Sequence, residues 1–213
     1  MPHVGNDVID LTEPGKTGKS RDVRFISRVF TSGERDCIFR SSNPDETLWT
    51  LWAGKEAAYK VMMKTDPRVC SIPRAYPVEL NKRESLPFRG GTVTTPAGTV
   101  SIRVFREGDA LHVIGTDPCP GYLEEIVGGI ASADSLERGA VPSADRASFL
   151  VRESLLRRLS EFLGRSPCEM EVRRLKEQRG LGPPRVYIQG KPSALDISMS
   201  HDGRFVAYAF SRI

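Results

Sequence analysis

Two long helical patterns and several runs of β-branched residues predict an α+β fold for this chain of 213 residues. The first helical pattern begins at Asn43-Pro44-Asp45 and ends before Pro67, and the second spans Arg146 to Leu163. Between them lie four segments rich in Val, Ile, Thr or Phe, separated by Pro and Gly. They are Tyr76 to Leu80, Gly91 to Thr95, Thr99 to Phe105 and Ala110 to Thr116. This arrangement predicts an antiparallel meander combined with two helices.

Bulk composition excludes several classes of protein. The chain has 39% hydrophobic and 27% charged residues, which is ordinary for a soluble protein. No apolar run approaches the roughly 20 residues that span a bilayer. The N-terminus, Met1 to Asp7, lacks the basic-then-apolar order of a secretory signal. We therefore expect a cytoplasmic protein that has no membrane partner.

Cysteine spacing and net charge restrict the choice further. The cysteines form no CxxC pair, which argues against a zinc ribbon and against a disulfide scaffold. They are Cys37, Cys70, Cys119 and Cys168. The net charge of +4 suits an acidic protein partner, a polyphosphate ligand or nucleic acid. No aromatic RNA-binding motif or dense basic helix favours nucleic acid, so we expect no nucleic-acid partner.

The first elements are a short strand and two short helices. The strand, Val4 to Leu11, carries two acids, Asp7 and Asp10, which face opposite sides because side chains alternate along a strand. Arg21 to Arg40 then has a helical pattern with a break at Thr31-Ser32-Gly33-Glu34, which has the spacing of a capping box. Two short helices are expected over this segment.

The helix that follows Pro44 contains the most informative stretch, Trp52-Ala53-Gly54-Lys55-Glu56-Ala57-Ala58-Tyr59-Lys60. Glu56 and Lys60 are four residues apart and share a helix face, with Trp52 one turn earlier as an apolar neighbour. A surface ion pair is the common interpretation of this spacing. The stretch alone therefore does not indicate an enzyme.

The last part of the chain begins with a segment of low periodicity. Residues 118–145 are rich in Gly, Ser, Ala and Pro, which predicts a linker and a domain boundary. Arg146 to Leu163 then predicts an amphipathic helix. Strands are expected at Glu171 to Leu175 and Arg185 to Ile188, and a hairpin that turns at Asp202-Gly203 closes the chain.

Three features together indicate chemistry: Asp7 in the first strand, the helix bearing Lys55, Glu56 and Lys60, and the sequence Ser198-Met199-Ser200-His201. Each alone has a simpler interpretation, as a turn cap, a solvated ion pair or a turn histidine. No Gly-x-Ser-x-Gly elbow supports a serine hydrolase. Two converging carboxylates, however, suit Mg²⁺, and lysines beside them neutralise phosphate.

These motifs resemble those of the 4'-phosphopantetheinyl transferases, which move phosphopantetheine from coenzyme A onto a serine of a carrier protein. Gly5-Asn6-Asp7 looks like the family's Gly-x-Asp, and Trp52 to Lys60 looks like its Trp-x-x-Lys-Glu-x-x-x-Lys. Ser198 to His201 looks like its Ser-x-Ser-His. The resemblance covers most of the chain and implies the α+β fold of that family.

The resemblance implies catalytic and metal-binding roles in the first part of the chain. Asp7 and Glu56 would bind Mg²⁺ against the pyrophosphate of coenzyme A, and Lys60 would contact phosphate. Glu56 is also the nearest base for the carrier serine. Long members of the family place a third acid where this chain has Ile9, and Asp10 faces the other way. A metal site with two carboxylates is therefore expected.

The resemblance also implies contacts to coenzyme A. Ser200 and His201 would hold its 3'-phosphate, and Lys55 would lie near the phosphates. The family's Gly-Lys-Pro is replaced by Gly182-Pro183-Pro184-Arg185, which makes Arg185 a candidate contact, although Gly190-Lys191-Pro192 occurs nearby. The residues leave the choice between these two segments open.

Motif order implies an unusual architecture within the family. In the long, surfactin-synthetase-type members the half ending in Ser-x-Ser-His comes first, whereas here the Gly-x-Asp half does. We expect a pseudo-dimer of two similar halves in permuted order, with a Mg²⁺-binding half at 1–117, a linker at 118–145 and a nucleotide-binding half at 146–213. The alternative is the short trimeric type, holo-acyl-carrier-protein synthase, with sites between subunits. The second amphipathic helix favours a monomeric pseudo-dimer.

The sequence therefore predicts a holo-acyl-carrier-protein synthase type of transferase. It would use Mg²⁺ to transfer 4'-phosphopantetheine from coenzyme A to an apo acyl or peptidyl carrier protein and release 3',5'-ADP. Such carriers serve fatty-acid, polyketide or peptide synthesis and are typically acidic, so Arg24 and Arg28 are candidates for the docking face. The alternative is a non-catalytic module of the same fold that binds coenzyme A or the carrier.

Overall fold

The computed structural model describes residues 2–81, 88–119, 121–133, 143–177 and 180–212. Its helices are α1 Val23–Val29, α2 Ser32–Arg40, α3 Pro44–Thr65, α4 Tyr122–Glu125 and α5 Ser143–Leu163. Its strands are β1 Val4–Asp10, β2 Val78–Leu80, β3 Phe88–Thr95, β4 Gly98–Glu107, β5 Ala110–Thr116, β6 Val127–Ser132, β7 Met170–Glu177, β8 Gly180–Ile188, β9 Lys191–Pro192, β10 Leu195–Asp202 and β11 Phe205–Arg212. No helix in these ranges is long and apolar enough to cross a membrane.

Strands β1 to β5 form one antiparallel sheet in the order β1-β5-β4-β3-β2. The predicted meander is therefore confirmed, and β1 completes it along β5. Helix α3 lies against β1, β5 and β4, and their apolar side chains share one core. Close packing explains Gly5, because a Cβ there would collide with the carbonyl oxygen of Ala57 in α3. The contact fixes β1 directly under the helix.

Local capping explains where the first helices begin. The side chain of Asn43 accepts from the Glu46 N–H at the start of α3, and Pro44 occupies the first turn, where its missing N–H leaves no bond unmade. Thr31 and Glu34 form the predicted capping box at the start of α2. The two short helices and the long third helix are confirmed.

Strands β6 to β11 form two smaller sheets, with the orders β10-β11-β6 and β7-β8-β9. Helix α5 packs against them through Leu150, Leu155 and Leu159, which are buried as the amphipathic pattern predicts. The C-terminal hairpin is confirmed: Asp202 pairs with Phe205 across a two-residue turn. The α+β class of the fold is thus as predicted.

The segment 118–145, predicted as a linker, contains both α4 and β6. Strand β6 pairs with β11 along its whole length. Its low periodicity has a steric cause, since a Cβ at Gly128 would collide with Ile114 and one at Gly129 would lie 2.5 Å from the hydroxyl of Tyr208. The glycines that suggested a linker are required by close packing of a strand.

The edge strand β1 meets the edge strand β10 side by side. Side-chain oxygens of β10 accept hydrogen bonds from backbone N–H groups of β1, so this edge is closed without a backbone ladder. The bonds join Val4 to Asp196 at 2.6 Å, Asn6 to Ser198 at 2.9 Å and Asp10 to Asp202 at 2.9 Å. The two sequence motifs on these strands are thereby brought together.

Candidate functional site

Asp7 and Lys60 form an ion pair beside the junction of β1 and β10. The Lys60 ammonium lies 2.9 Å from Asp7 Oδ1 and also donates to the Asn6 carbonyl oxygen at 2.7 Å. Their side chains are 15% and 29% exposed, so both reach solvent. Lys60 thus pairs across to β1, whereas the helix spacing suggested a pair with Glu56.

Glu56 completes the acidic part of the site. Burial raises its pKa, and the negative charge of Asp7 raises it further, while Lys60 acts in the opposite direction. Burial likewise raises the pKa of Asp7, against the influence of Lys60. Two carboxylates that are desolvated and repel each other favour a proton or a cation between them.

A cleft of about 330 Å³ opens next to Asp7 and Lys60. Ser200 and His201 from β10 line it, so the structure brings together residues from all three motifs. Helix α5 and strand β7 add Ser148, Arg152 and Arg174 to the lining. The part of the lining from α5 and β7 is therefore cationic and is called the cationic wall here, whereas β1 contributes the acid Asp7 and α3 contributes Lys60.

Arg152 and Arg174 are functional candidates that the sequence reasoning missed. Burial lowers the pKa of Arg174, and the charge of Arg152 lowers it further. In the described residues neither guanidinium has a carboxylate within ion-pair distance. Arg152 instead donates to the carbonyl oxygen of Ser148 at 2.6 Å. Two close cations without an acid favour an anionic ligand.

A second cleft of about 200 Å³ adjoins the first and shares Lys60 and Arg174 with it. Its walls are largely apolar, with side chains from α3, β8 and β10. They include Tyr59, Met63, Leu181, Pro183, Pro184 and Met199. The two clefts together can take a ligand that has both a charged and an uncharged portion.

Two charged residues that the sequence analysis considered, Lys55 and Asp10, lie away from the clefts. Lys55 is 1% exposed, and its ammonium contacts Glu34 at 2.6 Å and the Tyr76 carbonyl oxygen at 2.9 Å. The prediction that Lys55 lies near a coenzyme phosphate is thus corrected to a structural ion pair. Asp10 forms a bidentate pair with Arg204, which holds its pKa well below the usual range.

The structure also distinguishes between the two candidate segments for coenzyme A binding, which lie on β8 and β9. Gly182, Pro183 and Pro184 line the apolar cleft, but Arg185 is exposed and is not among the residues described in either lining. Lys191 lies at the outer edge of its sheet, on β9. The two clefts thus provide no support for the predicted contact by Arg185, whereas Arg174 lines both of them.

The acidic pair provides the donors that Mg²⁺ prefers. No three His, Cys, Asp or Glu side chains form a metal-binding group within the described ranges. Asp7 and Glu56 offer two carboxylates, and Mg²⁺ commonly takes one or two carboxylates plus waters and substrate phosphates. The residues present therefore fit a magnesium ion that is completed by a phosphate ligand.

The first part of the chain matches a known protein family. Residues 3–87 match the family model of the 4'-phosphopantetheinyl transferase superfamily. This range includes Gly5-Asn6-Asp7 and the stretch from Trp52 to Lys60, so the resemblance that these motifs suggest is confirmed over that part of the chain. The Ser198 to His201 motif lies outside it.

Individual relatives are holo-[acyl-carrier-protein] synthases. The chain is similar to the one from Chlamydia felis (strain Fe/C-56), with 31% identity over 62 residues, which is 29% of this chain and 51% of that protein. It is 37% identical over 59 residues to the one from Chlamydia trachomatis serovar L2 (strain ATCC VR-902B / DSM 19102 / 434/Bu), which is 28% and 50%. The chain spans about half the length of the curated relatives it matches.

Proposed function

We propose that this protein transfers the 4'-phosphopantetheine group of coenzyme A to a serine of an apo acyl or peptidyl carrier protein and releases 3',5'-ADP. The observation that carries the proposal is the convergence of the three motifs. Asp7, Lys60, Ser200 and His201, which are far apart in sequence, line one cleft. The family match over residues 3–87 and the similarity to holo-[acyl-carrier-protein] synthases support the same reaction.

The cationic wall would bind the phosphates of coenzyme A. Ser200, His201, Arg152 and Arg174 would hold the 3'-phosphate, because hydroxyl, imidazole and guanidinium groups donate to phosphate oxygens. Lys60 would contact the pyrophosphate from the other side of the cleft. The adjoining apolar cleft would take an uncharged portion of the coenzyme.

Asp7 and Glu56 would hold Mg²⁺ against the pyrophosphate. The ion would stabilise negative charge on the phosphoryl oxygens and on the departing 3',5'-ADP. Lys60, paired with Asp7 at 2.9 Å, would add a fixed positive charge at the same place. The fold would thus combine the two acids and Lys60, from β1 and α3, with Arg152 and Arg174, from α5 and β7, at one cleft.

Glu56 would act as the base for the carrier serine. The serine oxygen would bond to the β-phosphorus while the bond from that phosphorus to the bridging oxygen breaks, and the electron pair would leave on 3',5'-ADP. The serine proton would pass to Glu56, directly or through water. Burial and the charge of Asp7 raise the pKa of Glu56, which favours its accepting a proton.

The exposed face of α1 would dock the carrier. Arg24 and Arg28 are exposed there, beside Val23, whose side chain is 74% exposed. Neither arginine pairs with an acid among the residues described. An apolar contact between free cations suits the acidic surface of a carrier protein.

The chain would form a monomeric pseudo-dimer with its halves in permuted order. In each half a strand precedes a long helix and two hairpins, as β1, α3, β2-β3 and β4-β5 do first and β6, α5, β7-β8 and β10-β11 do later. The leading strand pairs with the last strand of its half in both cases. This repetition supports the division at residues 118–145, with β6 belonging to the second half.

The cytoplasmic location of the protein stays a prediction.

Intact mass spectrometry tests the reaction. The protein is incubated with coenzyme A and Mg²⁺ and with a panel of apo acyl and peptidyl carrier proteins. We expect a carrier to gain one phosphopantetheine, and a Ser→Ala change at its acceptor position serves as the control. Binding of coenzyme A or of a carrier without transfer would favour the binding module instead, and binding of neither would contradict both.

A further inference from the structure

Asn6, the middle residue of Gly5-Asn6-Asp7, connects the two motif-bearing strands. Its backbone N–H donates to Ser198 Oγ at 2.9 Å and its side-chain Nδ2 donates to Ser200 Oγ at 2.9 Å. Its carbonyl oxygen accepts from Lys60 at 2.7 Å. Asn6 is fully buried, so it contacts residues of the cleft without facing the ligand itself.

His112 lies behind Asn6, on β5. Its Nε2 is 3.0 Å from Asn6 Nδ2, and the ring is 2% exposed. We propose that Asn6 and His112 are positioning residues for coenzyme A, in which His112 fixes the Asn6 amide and the amide directs the Ser200 hydroxyl proton into the cleft. This inference rests on the proposed function, because it assigns how the Ser-x-Ser-His motif is held ready for phosphate.

The assignment follows from the hydrogen atoms available. Asn6 Nδ2 carries two hydrogens, and its two partners are Ser200 Oγ and His112 Nε2. With Nδ2 in this position, His112 accepts at Nε2 and carries its proton on Nδ1. Because Ser200 Oγ accepts from the amide, its own hydrogen remains available for a phosphate oxygen. Burial lowers the pKa of His112 to about 3, which keeps the imidazole neutral and able to accept.

Asn6 is better explained by positioning than by stability. Its Oδ1 is buried and has no hydrogen-bond partner among the described residues. An unpaired buried acceptor destabilises a fold, and an apolar side chain of similar size would avoid that loss. An arrangement that is unfavourable for folding persists where it serves a site. Within the described ranges, the polar groups that hydrogen-bond to the side-chain amide are Ser200 and His112.

Two variants of His112 test the relay. His112→Leu removes the acceptor, whereas His112→Gln keeps an oxygen that can accept from Asn6. In the full-length protein we expect His112→Leu to raise the Kd and the KM for coenzyme A about tenfold while kcat stays within about twofold, the pattern of a lost ground-state contact. His112→Gln should bind within about threefold of the parent. Equal affinity in His112→Leu and the parent would overturn the proposal.

The tautomer of His112 provides a measurement that needs no variant. Nitrogen chemical shifts of the ring in the labelled protein should show a proton on Nδ1 and none on Nε2, unchanged down to about pH 5. A proton on Nε2 would reverse the hydrogen bond and overturn the inference. If the parent protein binds no coenzyme A in a calorimetric titration, the proposed function fails. The tautomer of His112 would still show whether the Asn6 amide donates to its ring.

Discussion

Strands β1 and β6 occupy equivalent places in the two parts of the molecule but differ completely in charge. Each pairs with the last strand of its own sheet, β5 or β11, and each precedes the long helix of that part. Strand β1 carries Asp7 and Asp10, whereas β6 has the sequence Val-Gly-Gly-Ile-Ala-Ser and no ionisable residue. A repeated framework thus need not repeat a site.

The two long helices, α3 and α5, also contribute different side chains to the site. Helix α3 brings Lys60 to the cleft and places Glu56 close enough to Asp7 for their charges to interact, whereas α5 brings Ser148 and Arg152. The first part of the chain thus supplies the acids and Lys60, and the second part supplies two arginines and hydroxyl groups. We infer that one chain holds one site and that neither part is sufficient by itself.

Removing the charge of Glu56 should have the largest effect, and it tests whether transfer depends on the acids of the first part of the chain. Glu56→Gln should lower transfer by about 10³-fold or more, equivalent to about 4 kcal/mol, because a metal ligand and a base are lost together. Its melting temperature should not fall, since burial already disfavours the charged form of Glu56. The matched control is Glu153→Gln on α5, where an exposed acid should be replaceable within about twofold. Normal transfer by Glu56→Gln would remove this residue from the mechanism.

The junction between the two parts is tested through Lys64. Its buried ammonium contacts Asp196 at 2.8 Å and the carbonyl oxygens of Val4 and Ile197 at 2.6 and 2.7 Å. Lys64→Met leaves Asp196 buried without its cation and should lower the free energy of unfolding by about 3 kcal/mol, measured by urea denaturation.

Helix α5 offers the control for that experiment. The exposed pair of Arg158 and Glu161, at 2.8 Å, should contribute about 0.5 kcal/mol or less, so Arg158→Ala is expected to be nearly neutral. If Lys64→Met and Arg158→Ala destabilised the protein equally, the buried pair would not join the two parts.

The pH dependence of stability tests the burial of His112 on β5. Its pKa is about 3 when folded and about 6.5 when unfolded, so below pH 6.5 the unfolded chain takes up a proton that the folded chain does not. Folding should therefore weaken as the pH falls, by about 2 kcal/mol between pH 6.5 and 5. In His112→Gln this contribution to the pH dependence of the free energy of unfolding should be absent. If stability fell equally with pH in both proteins, the burial of a neutral His112 would be contradicted.

The cationic wall should show the smallest single effects. Arg152→Ala and Arg174→Ala are each expected to weaken coenzyme A binding about tenfold by calorimetry, since each removes one charge-assisted contact among several. The control is Arg157→Ala on the outer face of α5, which should bind normally. Arg152→Ala with unchanged affinity would leave the cleft without its proposed ligand contact.

Sequence reasoning recovered what local patterns encode. Helical periodicity located α3 and α5, the capping box located α2, and punctuated runs of β-branched residues located the meander. The three motifs identified Asp7, Glu56, Lys60, Ser200 and His201, and the structure brings four of these five into one cleft lining. The fifth, Glu56, lies close enough to Asp7 for their charges to repel.

What the sequence missed depends on contacts between distant segments. The glycines of β6 predict a linker by composition, but in the structure they allow the strand to pack closely against Ile114 of β5 and Tyr208 of β11. Lys55 adjoins Glu56 in the motif, but a helix turns by about 100° per residue and directs Lys55 to Glu34 in the core. Arg152 and Arg174 lack any motif, and only the fold places them beside each other.

The proposed architecture requires a single chain to contain a complete transfer site between its two parts. Size-exclusion chromatography with light scattering, followed by the transfer assay on each fraction, measures the mass of the active species directly. We predict that activity coincides with a species of one chain, 23.6 kDa. Activity found only in a species of three chains, with none in the monomer fractions, would contradict the account.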